Sequence, residues 1–232
     1  MAQILKNQGS HRILAIMSGI GGENPLQLIE LAGRTSYQSR DKITNQSAAK
    51  FVEMLRKRGH ESVLEHSCLT VEFNNISRAF THELVRHRLA SFIQESTRYV
   101  DESDFKVIIP PAQDKDEKLV ELDLPDGMKI KVSFQEWMDL NEKMYRGLRK
   151  AGWKAEDARQ VLPTGIKSQI VVTANFREWR HIFKLRTAPD AHWEIREVMV
   201  KLLEDVQKQI PIVFDDFLID KERKTTSLNY KK

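Results

Sequence analysis

The sequence predicts an α+β fold: several helices packed on a small mixed or antiparallel sheet, within a single domain. Three observations point there. Residues 45–58 and 190–210 place apolar side chains at helical spacing, while residues 68–73 alternate apolar and polar side chains as a half-buried strand does. Helices and strands follow one another without the regular βαβ alternation of a doubly wound sheet. No repeat or composition break divides the chain, so residues 1–220 read as one domain and the polar, basic residues 221–232 as a disordered tail.

In chain order, residues 12–17 are a short apolar strand. Asn24-Pro25 starts a helix, with Asn as N-cap and Pro in the first turn, and Leu28, Leu31 and Ala32 form its apolar face. The chain turns at 33–37. The helix over 45–58 buries Ala48, Phe51, Val52 and Leu55 and ends in Arg56, Lys57 and Arg58 before Gly59. In the strand over 68–73, Leu69, Val71 and Phe73 face inward, and Asn74-Asn75 stops it. Ser77 caps a helix carrying Phe80 and Leu84. Residues 105–109 are extended up to Pro110-Pro111. Residues 113–131 are a charged excursion with a hairpin turn at Pro125-Asp126-Gly127. Ser133 and Glu136 make a capping box, and the helix after it buries Trp137, Leu140, Met144 and Leu148. A short helix over 155–162, a β-branched strand over 169–173 and a helix over 175–185 follow. The last long helix, 190–210, carries Ile195, Val198, Met199, Leu202 and Val206 on one face and ends at Pro211.

A chain of 232 residues with 30% charged and 41% hydrophobic side chains can bury a sizeable core. No apolar run reaches the roughly 20 residues that span a bilayer, the first ten residues are polar, and the single cysteine rules out an internal disulfide. The expectation is a cytoplasmic protein with no membrane partner, and its net charge of +4 suits anionic ligands.

The most informative stretch is residues 86–99, Arg-His-Arg-Leu-Ala-Ser-Phe-Ile-Gln-Glu-Ser-Thr-Arg-Tyr. Its arginines outnumber the acids that could pair them, and guanidinium forks suit phosphates and carboxylates. A charge block usually just faces water. Here Leu89, Ala90, Phe92 and Ile93 argue that part of the run is held against a core, and Ser91, Ser96 and Arg98 are spaced as in a loop that wraps a polyanion. Phe92 and Tyr99 also offer stacking surfaces, so a basic single-stranded nucleic-acid-binding module is the alternative. A phosphate-ester hydrolase lacks metal ligands, since His60, His66, His82 and His87 form no ligand pair on a helix and no metal is expected. Cys68, on its strand, reads as an inert buried thiol, and Ser96 as a hydrogen-bond donor to phosphate. No G-x-G-x-x-G or P-loop is present.

Arg86-His87-Arg88, seven residues, then Ser96-x-Arg98 resembles the signature of the flavin-dependent thymidylate synthases. Further islands are similar to that family in the same order: Gly33 to Tyr37, Gly59-His60-Glu61-Ser62 with Leu64-Glu65-His66, Ala158 to Pro163, Asn175-Phe176-Arg177, Leu185-Arg186 and His192 to Arg196. Glu83, Gln94 and His181 depart from the family's frequent glutamine, glutamate and asparagine.

The resemblance implies the family fold and an enzyme that converts dUMP to dTMP, with methylenetetrahydrofolate as carbon donor and NADPH-reduced FAD as hydride donor. It places Ser36, His60, Ser62, Arg86, His87, Arg88, Gln94, Asn175, Arg177 and His181 at the FAD. It places Glu83, Arg86, Gln94, Glu95, Ser96, Thr97, Arg98, Arg159 and Arg186 at dUMP, with Arg186 as the catalytic group on the uracil. It also implies a homotetramer with shared active sites and no nucleic-acid partner.

Overall fold

Alternation of large apolar side chains decides where the strands run. The computed structural model describes residues 1–21, 24–112 and 119–229. Its elements are β1 (Gln3–Leu5), β2 (Ser10–Ile16), α1 (Pro25–Ser36), α2 (Ser47–Lys57), a 3₁₀ turn (Glu61–His66), β3 (Cys68–Ser77), α3 (Arg78–Leu84), β4 (Ala90–Gln94) and β5 (Lys106–Ile108). There follow β6 (Val120–Asp123), β7 (Lys129–Val132), α4 (Phe134–Lys150), α5 (Ala155–Ala158), β8 (Lys167–Asn175), α6 (Phe176–Arg186), α7 (Trp193–Gln209), α8 (Pro211–Phe214), β9 (Phe217–Asp220) and β10 (Thr225–Leu228). One sheet has the strand order β2-β3-β8-β4. β1 pairs with β5 in parallel, and β6 with β7 and β9 with β10 antiparallel. The fold is α+β.

The residues gather into two compact units of interleaved segments: Met1–Ser10, Asn74–His82 and Gln94–Ile170 in the first, and His11–Phe73, Glu83–Ile93 and Val171–Lys232 in the second. Each takes three separate stretches of chain, so no one linker marks a boundary in the sequence.

In the first unit, Ala2, Phe105, Val107, Met138 and Ile166 form a core, with Ile4, Phe134 and Leu162 packed on it. The capping box of α4 forms as expected. Its apolar face does not: Trp137, Leu140 and Met144 are 50%, 47% and 57% exposed, while Met138, Glu142 and Tyr145 are buried. Long-range partners decide this. The chain's amino group pairs with Glu142 at 3.2 Å, and the Tyr145 hydroxyl accepts the Glu102 N–H at 3.2 Å. The hairpin turn closes with Gly127 at φ 84°, a conformation that favours glycine. β3 does not break at Asn74-Asn75. It runs on to Ser77, because Asn75 adopts a left-handed φ of 52° that asparagine tolerates.

In the second unit, α1 runs through the expected turn at 33–37, up to Ser36, and buries Leu26, Ile29, Glu30 and Gly33 in place of Leu28, Leu31 and Ala32. Gly33 permits the close approach of α2, since a Cβ there would stand 2.8 Å from the Phe51 ring. Glu30 is buried because Arg34 and Ser47 bond it. The α7 face is buried as expected. Trp179 is fully buried and donates its indole N–H to Leu69 O at 2.9 Å. Leu89 and Ile93, expected against a core, are 75% and 78% exposed.

The expected disordered tail is corrected by β10. Its Thr225 is buried, and the Thr226 N–H donates to Thr187 O at 3.0 Å. The backbone there finds hydrogen bonds that a composition argument cannot see. Residues 113–118 of the expected excursion and 230–232 of the expected tail lie outside the described residues.

Met138→Ala should cost about 2 to 5 kcal/mol of unfolding free energy, as large-to-small changes in a core do. Leu140→Ala should stay within about 0.5 kcal/mol. Urea unfolding of both variants checks this; equal losses would mean that the Trp137 face of α4 is covered after all.

Candidate active site

Asn175 ends β8 and caps α6, its side-chain oxygen accepting the Glu178 N–H at 2.8 Å. That use leaves its amide NH₂ as the group it can offer elsewhere. Helical spacing then sets Arg177, His181 and Lys184 along one side of α6, facing a cavity of about 830 Å³. Leu89, Phe217 and Leu228 supply its apolar wall, and Lys57 and Arg56 add cationic groups. Glu61, Glu65, Glu178 and Asp216 also line it, so its polar side is mixed in charge, and the volume lies within the range of ordinary cofactor sites. Arg177 pairs with Glu65 at 2.5 Å, both on the cavity lining.

Three of the residues expected at FAD, Asn175, Arg177 and His181, therefore share this cavity. The others do not line it. Ser36 and Ser62 are exposed, as is His60, whose Nδ1 is bonded to the Tyr37 hydroxyl at 3.2 Å. Arg86 and Arg88 are exposed, and His87 is buried with its ring 5.5 Å from that of His181. Gln94 belongs to the first unit, where it donates to Thr81 and Ser168 at 2.9 and 3.3 Å.

Arg186, in the last turn of α6, is held by three groups. Its Nε–H donates to His87 Nε2 at 3.0 Å, one Nη donates to the Glu83 carbonyl at 2.8 Å, and the other pairs with the Glu83 carboxylate. Glu83, Arg186 and His87, all expected at ligands, are thus one cluster. A guanidinium can only donate, so His87 Nε2 must carry a lone pair. The neutral ring then has its proton on Nδ1, which faces Glu178 Oε1 at 3.4 Å. Burial, then the charges of Arg186 and His181, lower the His87 pKa to about 4, and burial raises that of Glu178.

His87, Glu178 and His181 bring ligand atoms within 4.8 Å of one another, a spacing that could suit a metal ion. The donor set opposes it. A metal on His87 Nδ1 would put a hydrogen on Nε2, directly against the Nε–H of Arg186.

In the first unit, Thr97 is buried and its hydroxyl accepts from Arg159 at 3.3 Å. Arg98 pairs with Glu156 at 3.1 Å, and the Arg98 N–H donates to Ser96 Oγ at 3.3 Å. Glu95 pairs with Lys167 at 3.0 Å. Gln94, Glu95, Ser96, Thr97, Arg98 and Arg159 thus belong to this unit, and Glu83, Arg86 and Arg186 to the second.

Sequence reasoning missed two buried features. Arg180 makes a two-point pair with Asp216, 2.7 Å at each contact, and Asp216 also meets Arg56 at 3.1 Å. Burial opposes both charges of the fork, but the pairing outweighs it and holds the Asp216 carboxyl below, and Arg180 above, their ordinary values. Their separation in the chain hid the pair. Glu102 is 7% exposed, its Oε1 has no partner among the described residues, and burial, then Glu95, raises its pKa to about 7. The polar, acidic surroundings, Asp101, Ser103 and Asp104, gave no hint that this carboxyl would be inside.

The lowered pKa of His87 has a definite sign. Between about pH 6.5 and 4 the unfolded chain holds a proton on this ring and the folded protein does not, so its contribution to stability is complete above that window and falls as pH drops through it. The whole loss is on the order of 3 kcal/mol. Urea unfolding at pH 7.5 and pH 5 should show a steeper decline in wild type than in His87→Gln; parallel declines would contradict the neutral, buried ring.

The Thymidylate synthase complementing protein family matches residues 19–212. The flavin-dependent thymidylate synthase of Corynebacterium diphtheriae is 38% identical over 196 residues, 82% of this chain and 78% of that protein. The one from Pyrococcus abyssi is 38% identical over 195 residues, 80% and 75% of the two chains. Among solved structures, the UMP/dUMP methylase PolB of Streptomyces cacaoi bound with 5-Br dUMP superposes with a TM-score of 0.69 at 22% identity, covering 92% of this chain and 95% of that one. Thymidylate Synthase X of Helicobacter pylori with FAD and dUMP gives 0.65 at 20% identity, covering 90% and 98%. These two structures agree in fold with the present one. The sequence matches carry the assignment: the chain belongs to the family of flavin-dependent thymidylate synthases.

Proposed function

We propose that this chain is an FAD-dependent thymidylate synthase that methylates dUMP reductively, with methylenetetrahydrofolate as carbon donor and NADPH as the source of the hydride. The balance is dUMP, methylenetetrahydrofolate, NADPH and a proton giving dTMP, tetrahydrofolate and NADP⁺. The observation that carries this reading is the convergence of Asn175, Arg177 and His181 on one cavity in a chain of this family. FAD, when bound, would supply the two-electron redox chemistry that links nicotinamide oxidation to reduction of the transferred carbon, and Asn175, Arg177 and His181 would hold it.

The chain's residues bind and polarise. Arg177 and Lys184 face the cavity and offer charge-assisted bonds to a diphosphate, and the Asn175 amide offers a donor to a ring or ribityl oxygen. In the first unit, Arg98, Arg159 and Ser96 offer donors to a phosphate group and neighbouring oxygens, with Gln94, Glu95 and Thr97 in the same unit. Arg186 meets the uracil, stabilising negative charge as C5 becomes nucleophilic, in the manner of an oxyanion hole. His87, neutral and fixed by Glu178 and Arg186, orients that guanidinium, and Glu83 steadies it. Arg86 and Arg88, with Ser36, His60 and Ser62, reach FAD across subunits of a homotetramer with shared sites. No helix among the described residues is long and apolar enough to cross a membrane, and the cytoplasm is the proposed location.

Cys68 has no part in the chemistry. Burial raises its pKa, which keeps it a thiol. Cys68→Ala should keep dUMP-dependent turnover and lose little stability, and a folded, flavin-binding variant without turnover would restore a cysteine nucleophile.

FAD should bind saturably, followed through the visible spectrum and protein fluorescence. Arg186→Ala should retain that binding, weaken dUMP binding, and cut dTMP formation by a factor of about 10² to 10³. Arg186→Lys should rescue only in part, since an ammonium lacks the planar fork. Turnover of Arg186→Ala within about threefold of wild type, under roughly 1 kcal/mol, would overturn the role given to Arg186.

A further inference from the structure

The family match ends at residue 212, yet the cavity is walled in part by residues beyond it. Phe217, Leu228 and Asn229 lie on its lining with Leu89, opposite in character to Lys57, Arg177 and Lys184. Leu228 pairs with Phe217 across the β9–β10 ladder, so the two side chains belong to one built surface.

The strand pair is fastened at several points. Its turn is closed by Asp220, whose Oδ1 accepts the N–H groups of Glu222 and Arg223 at 3.1 and 3.0 Å. Lys224 pairs with Glu197 at 2.7 Å. Thr226 bonds Thr187 through backbone and hydroxyl, and the Asn229 N–H donates to Asp216 O at 2.8 Å. Gln207 donates to Phe217 O at 2.8 Å. A segment held this firmly presents a fixed wall to whatever fills the cavity.

Leu89 is 75% exposed there, and Leu228 faces the same space from a different element. Two leucines from distant parts of the chain, in a cavity that elsewhere carries Lys57, Arg177 and Lys184 among the carboxylates of Glu61 and Glu65, suit a ligand that joins a flat apolar ring to a diphosphate. We propose that the β9–β10 pair is part of the cofactor site and that Leu228 is a binding residue, packing against a ring of the flavin dinucleotide. The inference rests on the reading that this cavity takes FAD.

The test is FAD titration of the purified full-length protein by flavin fluorescence, with unfolding temperature measured beside it. Leu228→Asp should weaken FAD binding by at least about tenfold, the value of one well-packed leucine contact, with the unfolding temperature little changed. Leu228→Thr keeps a strand-forming residue and removes only part of the contact, so it should weaken FAD binding by an intermediate factor even if the charged variant folds poorly. A protein ended at Lys224 should lose more than either. Saturable FAD binding to wild type with Leu228→Thr and the shortened protein both within about twofold of it would overturn the role of the strand. A wild type that binds no FAD would overturn the flavin reading itself.

Discussion

The guanidinium of Arg186 imposes the constraint on which the rest of the candidate site depends. Because it can only donate, its bond to His87 Nε2 fixes the ring's tautomer, and the tautomer sends a proton toward Glu178. Burial, with the charges of Arg186 and His181, keeps His87 neutral, and the Arg186 contact, by placing the proton on Nδ1, removes the lone pair a metal would need and leaves Arg186 as the charged group of the cluster that can answer negative charge on a substrate. Glu83 holds the same guanidinium through both its carbonyl and its carboxylate, so the donor is positioned before any ligand arrives.

A second arginine on the same helix does different work. Arg180 is buried and forks onto Asp216, and Arg56 joins them. Breaking such a pair leaves an uncompensated buried charge, which costs far more than an exposed pair is worth. The fork ties α6 to the segment that leads into β9. α6 therefore serves two ends at once: Arg177, His181 and Lys184 line the cavity, while Arg180, also on its lining, fastens Asp216 next to Phe217.

Much of this was legible in the sequence, for local reasons. Caps at Asn24 and Ser133 act within a few residues, and so they form where the spacing says. The Leu69, Val71 and Phe73 alternation and the α7 stripe are strong periodic signals, and both bury as read. What escaped was decided at long range. Met138 and Tyr145 displaced Trp137 and Leu140 from the core because the chain's amino group and Glu102 supply partners to that side of α4. β10 looked like a tail because its composition is polar, although its backbone finds Thr187 and Asp216. Among the site residues, Asn175, Arg177 and His181 lie on one cavity because Asn175 caps the helix that carries the other two. The Gln94 to Arg98 run and Arg186 fall in different units, which spacing along a chain does not reveal.

The most direct measurement of the central claim is a single turnover. The protein with one equivalent of FAD, reduced beforehand without oxygen, is mixed with dUMP and methylenetetrahydrofolate, and flavin absorbance is followed while dTMP is assayed. The account predicts that flavin reoxidation requires both substrates and that it yields about one dTMP per flavin, in wild type and in Cys68→Ala alike. Formation of dTMP while the flavin stays reduced, or reoxidation without dTMP, would contradict it.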